Sequence, residues 1–162
     1  MSRAYEYHHI VGFEETNLVG NVYYVNHLKW QGRCREMFIR EHAPEVVDLL
    51  QHDFSLATVR CSCDYIEELR AFDAVTIAMR LTALTRTRLT VSFDYLKSNA
   101  GARDLVARGE QLIACMQRDR GRLVPAPVPS ALVAALEPYR HEQSVAAVAG
   151  AAAGDWLERG RR

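Results

Sequence analysis

The hydrophobic period of this chain changes once, and that change limits the fold more than any other feature. Over residues 26–42 the apolar residues recur at helical spacing. With Trp30 set to zero and 100° per residue, Met37, Cys34, Phe38, Leu28 and Ile39 fall within one arc of about 200°. After residue 54 the period is two. Ala57, Val59, Cys61, Cys63 and Tyr65 alternate with polar residues. Val75, Ile77, Met79, Leu81 and Ala83 repeat the pattern, and Leu89, Val91, Phe93 and Tyr95 repeat it again. A fourth strand is expected over 105–117, with its apolar register shifting around Gly109 as at a bulge. One long helix followed by consecutive strands, without βαβ repetition, predicts an α+β chain whose antiparallel sheet wraps one helix.

The flanks complete the outline. Residues 5–11 read as a first strand and 14–21 as a loop. Asn26 is expected to cap the long helix, which ends near His42 because Ala43 precedes Pro44. A short helix over 45–51 follows. Pro125, Pro127 and Pro129 close the sheet region before a helix over 130–136. A length of 162 residues suits one domain, expected over 1–140. Residues 141–162, rich in alanine and charge, are expected to form a flexible tail.

Composition excludes several classes. Lys+Arg and Asp+Glu are each 20, so no global positive excess favours nucleic acid or an anionic membrane. Glu6, His8, His9, Glu14 and Glu15 interrupt any apolar signal core, and no apolar run is long enough to span a bilayer. A cytoplasmic protein is expected. Cys34, Cys61, Cys63 and Cys115 offer no zinc framework, and Cys61 and Cys63, on one strand face, read as two buried thiols. His8 and His9 read as structural or exposed.

The helix carries one residue out of place. Lys29, Arg33, Glu36 and Arg40 form a solvated face, but Arg35 falls at about 140°, between Phe38 and Ile39. A guanidinium there is either paired structurally or held for use. Gln31 also intrudes on the apolar arc and could share Arg35's polar pocket, while Glu41 lies near the helix end with room to fray outward. Gly32 leaves space beside its backbone. The preceding loop delivers Asn17, either a turn residue or a polar group for use, and backbone amides near the positive end of the helix, which can stabilise an oxyanion.

Residues 13–40 carry Phe13-Glu14-Glu15-Thr16-Asn17, Gly20-Asn21-Val22-Tyr23-Tyr24-Val25-Asn26-His27 and Trp30 through Arg35-Glu36. They resemble the 4-hydroxybenzoyl-CoA thioesterase family of hotdog proteins, which has an acidic T-D-x-x-G-x-V loop before an aromatic-rich helix start. With the strand pattern, the resemblance covers about residues 4–125. The string GNVYYVNHLKWQGRCRE is similar to the thioesterases that accompany iterative enediyne polyketide synthases.

The resemblance implies a hotdog fold and hydrolysis of a polyene, often β-keto, acyl thioester on an acyl carrier protein, with decarboxylation as a following step. It implies no cofactor and no metal, and a homotetramer built as a dimer of dimers. It places Asn17 where the wider family has its aspartate; an amide can neither attack as a carboxylate nor act as a general base. It maps the catalytic arginine onto Arg35 and the oxyanion amide onto the backbone N–H of Tyr24. His27 stands where tyrosine is expected, able to tune a proton or merely to fill space. Gly20 and Gln31 are assigned to substrate binding. Two alternatives remain: a general acyl-CoA thioesterase and a non-catalytic acyl-chain binder. A dehydratase is disfavoured, since Glu36 faces solvent and no His-rich loop is present.

Overall fold

The computed structural model describes residues 3–141. Its elements are β1 (Tyr5–Ile10), α1 (Val25–His42), α2 (Pro44–Leu50), β2 (Phe54–Tyr65), β3 (Ala74–Leu84), β4 (Arg88–Asn99), β5 (Ala102–Asp119), β6 (Arg122–Pro125) and α3 (Ser130–Leu136). The strands form one antiparallel sheet in the order β1-β3-β4-β5-β2, with β6 paired to β5. This is the α+β arrangement that the change of period predicts, in the hotdog form that the resemblance implies.

The α1 face read from the sequence packs on the concave side of the sheet. Trp30, Cys34, Phe38 and Ile39 are buried together with Ile77, Met79, Val91, Phe93 and Ile113. Complete burial of a side chain such as Phe38 stabilises by roughly 1.5–3 kcal/mol. Lys29, Arg33, Glu36 and Arg40 are exposed on the opposite face. The helix stops at Ala43, whose φ of −145° is not helical, and Pro44 opens α2.

Several expectations are corrected. Asn26 does not cap α1: Tyr24 holds that position, and Asn26 is buried in the first turn, where its Nδ2 donates to the carbonyl of Glu15 at 2.8 Å. Gly109 is not a bulge, since it pairs regularly with Cys63 and Phe93. The register shifts instead fall at Val59, Thr82 and Val106, each of which the pairing skips. Gly109 is needed for another reason: a Cβ there would collide with the amide of Gln31, which crosses it. Cys61 is exposed and Cys63 half-buried, because β2 lies at the sheet edge and only part of it is covered. Glu41 does not fray; it accepts a hydrogen bond from Tyr5 Oη at 2.9 Å. The first strand ends at Ile10, and Pro125, rather than closing the sheet, is the last residue of a short β6 paired with Met116. Apart from His141, the expected tail lies outside the described residues. No helix among the described residues is long and apolar enough to cross a membrane.

Candidate active site

Glu15 builds the entry to α1. Its carbonyl accepts from Tyr23 N–H at 2.9 Å and from Asn26 Nδ2 at 2.8 Å. Its carboxylate accepts from Gly12 N–H and Trp30 Nε1, both at 2.7 Å, and from His9 Nε2 at 2.8 Å. Burial pushes this carboxyl up, but the bonds from Gly12, His9 and Trp30 together outweigh it and hold the group below its ordinary value. The sequence shows Glu15 only as part of a loop; its partners come from β1, from α1 and from the loop between them.

At the helix start, Tyr23 O accepts from Asn26 N–H at 2.9 Å, and Tyr24 O accepts from Tyr65 Oη at 2.9 Å. The N–H groups of Tyr24 and Val25 have no acceptor among the described residues. They stand at the positive end of an 18-residue helix. A cleft of about 290 Å³ opens beside them, lined by Asn21, Tyr24, His27, Tyr65, Glu67 and Leu69 among others.

His27 forms the inner wall of this cleft. Its ring lies about 5 Å from those of Trp30 and Tyr65, and Tyr95 Oη donates to its backbone carbonyl at 2.6 Å. Neither ring nitrogen has a hydrogen-bond partner among the described residues. Burial lowers its pKa, with the nearby Tyr24 carbonyl acting in the opposite sense, so the imidazole is neutral near pH 7.

Asn17 and Gly20 shape the loop before the helix. Asn17 N–H donates to Asn21 O at 2.9 Å, its own carbonyl accepts from Gly20 N–H at 3.0 Å, and its Oδ1 accepts from Val19 N–H at 3.1 Å. Gly20, at φ +88°, takes the left-handed conformation this turn needs. Asn17 is therefore a turn residue by its oxygen, while its Nδ2 donors have no partner among the described residues.

Arg35 lies eight residues beyond His27, about 12 Å along the helix axis. Its Nη1 donates to Thr58 Oγ1 at 3.2 Å and to the buried Gln111 Oε1 at 3.1 Å. Both partners are neutral, and burial lowers the arginine's pKa. The guanidinium thus sits half-buried beside acceptors that do not cancel its charge. It rims a closed apolar pocket lined by Phe38, Leu56, Met79, Val91 and Ile113, whose free space of about 10 Å³ needs side-chain movement before a chain can enter. Gln31 is fully buried and donates from Nε2 to Ser62 O at 2.9 Å, a tie between α1 and β2. The structure brings Tyr24 and His27 together at one cleft. Arg35 and Gln31 face the sheet further along, and Asn17 remains in the loop. Tyr65, which sequence alternation shows only as one residue of a strand face, proves central to the cleft. No three His, Cys, Asp or Glu side chains among the described residues gather as a metal site.

The sequence profile of the thioesterase-like superfamily matches residues 11–136. The chain belongs to this superfamily. The dynemicin thioesterase, whose crystal structures describe induced-fit and allosteric effects upon polyene binding, is 44% identical, with a TM-score of 0.82 over 85% of this chain and 98% of that one. A gentisyl-coenzyme A thioesterase matches at 22% identity and TM-score 0.68, over 81% of this chain and 98% of that one. A 4-hydroxybenzoyl-CoA thioesterase with an aspartate-to-asparagine substitution, bound to 4-hydroxybenzoyl-CoA, matches at 17% and 0.74, over 83% of this chain and 99% of that one. These last two share the fold. No curated protein matches the sequence. The protein is a thioester hydrolase of the hotdog type, related to an enediyne-pathway thioesterase. In this thioesterase residue 17 is an amide, which can take part in hydrolysis only by hydrogen bonding.

Proposed function

We propose that this thioesterase releases a polyene, β-keto acyl chain from the acyl carrier protein of a polyketide synthase, with its chemistry at the N-terminus of α1. The observation that carries the reading is the pair of unpartnered backbone N–H groups at Tyr24 and Val25, beside a cleft and on a helix whose next turns lead to Arg35. The thioester carbonyl oxygen points at the Tyr24 N–H. Water adds to the carbonyl carbon, the helix end stabilises the tetrahedral oxyanion, and the C–S bond then breaks to release thiol and carboxylic acid. Asn17 orients the water through Nδ2. Since a thioester is already activated, orientation and electrostatics replace a strong base. The released β-keto acid loses carbon dioxide without a metal, and Arg35 holds its carboxylate once the acid has moved along α1 from the helix start.

The acyl chain runs under α1 towards the apolar pocket at Arg35, with Gln31 and the Gly20 turn flanking its path. The likeness to a polyene-binding thioesterase supports this assignment of substrate. A second subunit supplies the outer wall. The free edge of β2, where Val59 is 52% exposed, is the surface on which two sheets pair, and two such dimers make a tetramer.

The test is to load a polyene β-keto chain onto the carrier protein or onto CoA, add the enzyme, and identify the released product by mass spectrometry. Free acid or its decarboxylated methyl ketone, released faster from the carrier than from CoA, is the expected result. Retention of the chain on the carrier at the uncatalysed rate overturns the reading in favour of a binding protein.

A further inference from the structure

We propose that Tyr65 is a positioning residue for thioester hydrolysis, aiming the Val25 N–H as a second oxyanion donor beside that of Tyr24; this rests on the hydrolytic reading above. A peptide unit is planar, and its carbonyl and N–H point in opposite directions. The carbonyl of Tyr24 and the N–H of Val25 belong to one such unit. Tyr24 O is the N-cap carbonyl and receives the first helical bond; by donating to it as well, at 2.9 Å, the Tyr65 phenol tightens that plane and therefore the direction of the Val25 N–H. The preceding unit, which carries the Tyr24 N–H, is held by Asn26 N–H on Tyr23 O. Two adjacent donors are thus held by the first bonds of the helix, and the second of them carries an added clamp from β2.

The phenol is well placed to serve as a clamp. It is the last residue of β2, and the next two residues are pinned: Ile66 N–H and Glu67 N–H both donate to Val106 O, at 2.9 and 3.0 Å. These bonds carry the β2–β5 contact one step past its last pair, Tyr65 with Ala107. The ring also covers His27 edge-on, at 4.9 Å and 83°. Burial, followed by the neighbouring Cys63, pushes the phenol up to about 12, so it is a donor throughout the neutral range. A half-exposed tyrosine placed only for packing needs none of these arrangements.

Tyr65→Phe keeps the ring and removes the donor. With sorbyl-pantetheine as substrate, kcat should fall about 10- to 100-fold, KM should stay within about 2-fold, and the melting temperature should hardly move. The ¹H–¹⁵N resonance of Val25 should shift in the variant. An inactive natural protein would refute the hydrolytic reading instead, leaving the Val25 resonance to report the clamp. Wild-type kcat in Tyr65→Phe, a loss of activity matched by a loss of folded protein, or an unmoved Val25 resonance would each overturn the proposal.

Discussion

Gln31 and Gly109 fit together because one has a long amide and the other has no side chain. The Gln31 amide passes over Gly109 to donate to Ser62 O at 2.9 Å, and a Cβ on Gly109 would occupy its place.

Gly109→Ala should therefore destabilise the protein by about 1–3 kcal/mol, because the amide must leave Ser62 O without a donor. The double variant Gly109→Ala/Gln31→Ala should recover part of that loss. Urea denaturation of the two single variants and the double variant measures the coupling.

Arg35→Ala should lower kcat/KM about 100-fold, or roughly 2.7 kcal/mol, with the protein still folded. The guanidinium bonds only neutral groups, so its removal leaves no buried charge unpaired, and the stability cost is that of the buried Gln111 Oε1 losing this donor, about 1–3 kcal/mol. Arg33, exposed and loosely paired with Glu36 at 3.7 Å, supplies the control: Arg33→Ala should stay within about 2-fold of the natural protein. Steady-state kinetics of both variants, alongside melting curves, separates position from charge.

Two substitutions at Asn17 separate its two ends. Asn17→Ala loses both the Oδ1 bond to Val19 N–H and the Nδ2 donors, and should forfeit about 2–4 kcal/mol of transition-state stabilisation. Asn17→Asp keeps the acceptor for Val19 and removes the donors. If Nδ2 orients water, the aspartate variant should fold like the natural protein yet hydrolyse far more slowly. Equal rates for Asn17→Asp and the natural protein would show that the turn is all this residue provides.

His27 makes folding pH-dependent. Its folded pKa lies below the ordinary value, so the unfolded chain takes up a proton first as pH falls. The associated stability is complete above about pH 6.5 and declines from there until the folded pKa is reached. His27→Phe should flatten this part of the curve. Glu15, also held low, acts in a more acidic window, where its protonation weakens the entry to α1. Melting temperatures between about pH 8 and about pH 2.5 resolve the two.

The sequence revealed those parts of the fold set by periodic burial. The α1 arc of Trp30, Cys34 and Phe38 and the alternation of β3 and β4 must satisfy one core, and their spacing shows it. Features that depend on a distant partner were harder to see. Asn26 has the side chain of a cap, but the helix begins earlier and the amide is spent on Glu15 O. Gly109 suggested a bulge because the cause of its small size, Gln31, lies 78 residues away. Arg35 was detectable as an exception to a pattern. Tyr65 was not, since it continued one, and its bond to Tyr24 O spans 41 residues.

Trp30 stands between two imidazoles, His9 with ring centres 4.8 Å away and His27 at 5.0 Å, while its indole N–H is held by Glu15. An indole in such a position is a built-in optical reporter. Protonated imidazole quenches indole emission more than neutral imidazole does, so the fluorescence of Trp30 tracks the ionisation of the helix entrance without any label. Replacing Trp156, the second tryptophan in the sequence, with phenylalanine leaves a single emitter. Ligand arrival at the cleft can then be followed in real time by stopped-flow emission.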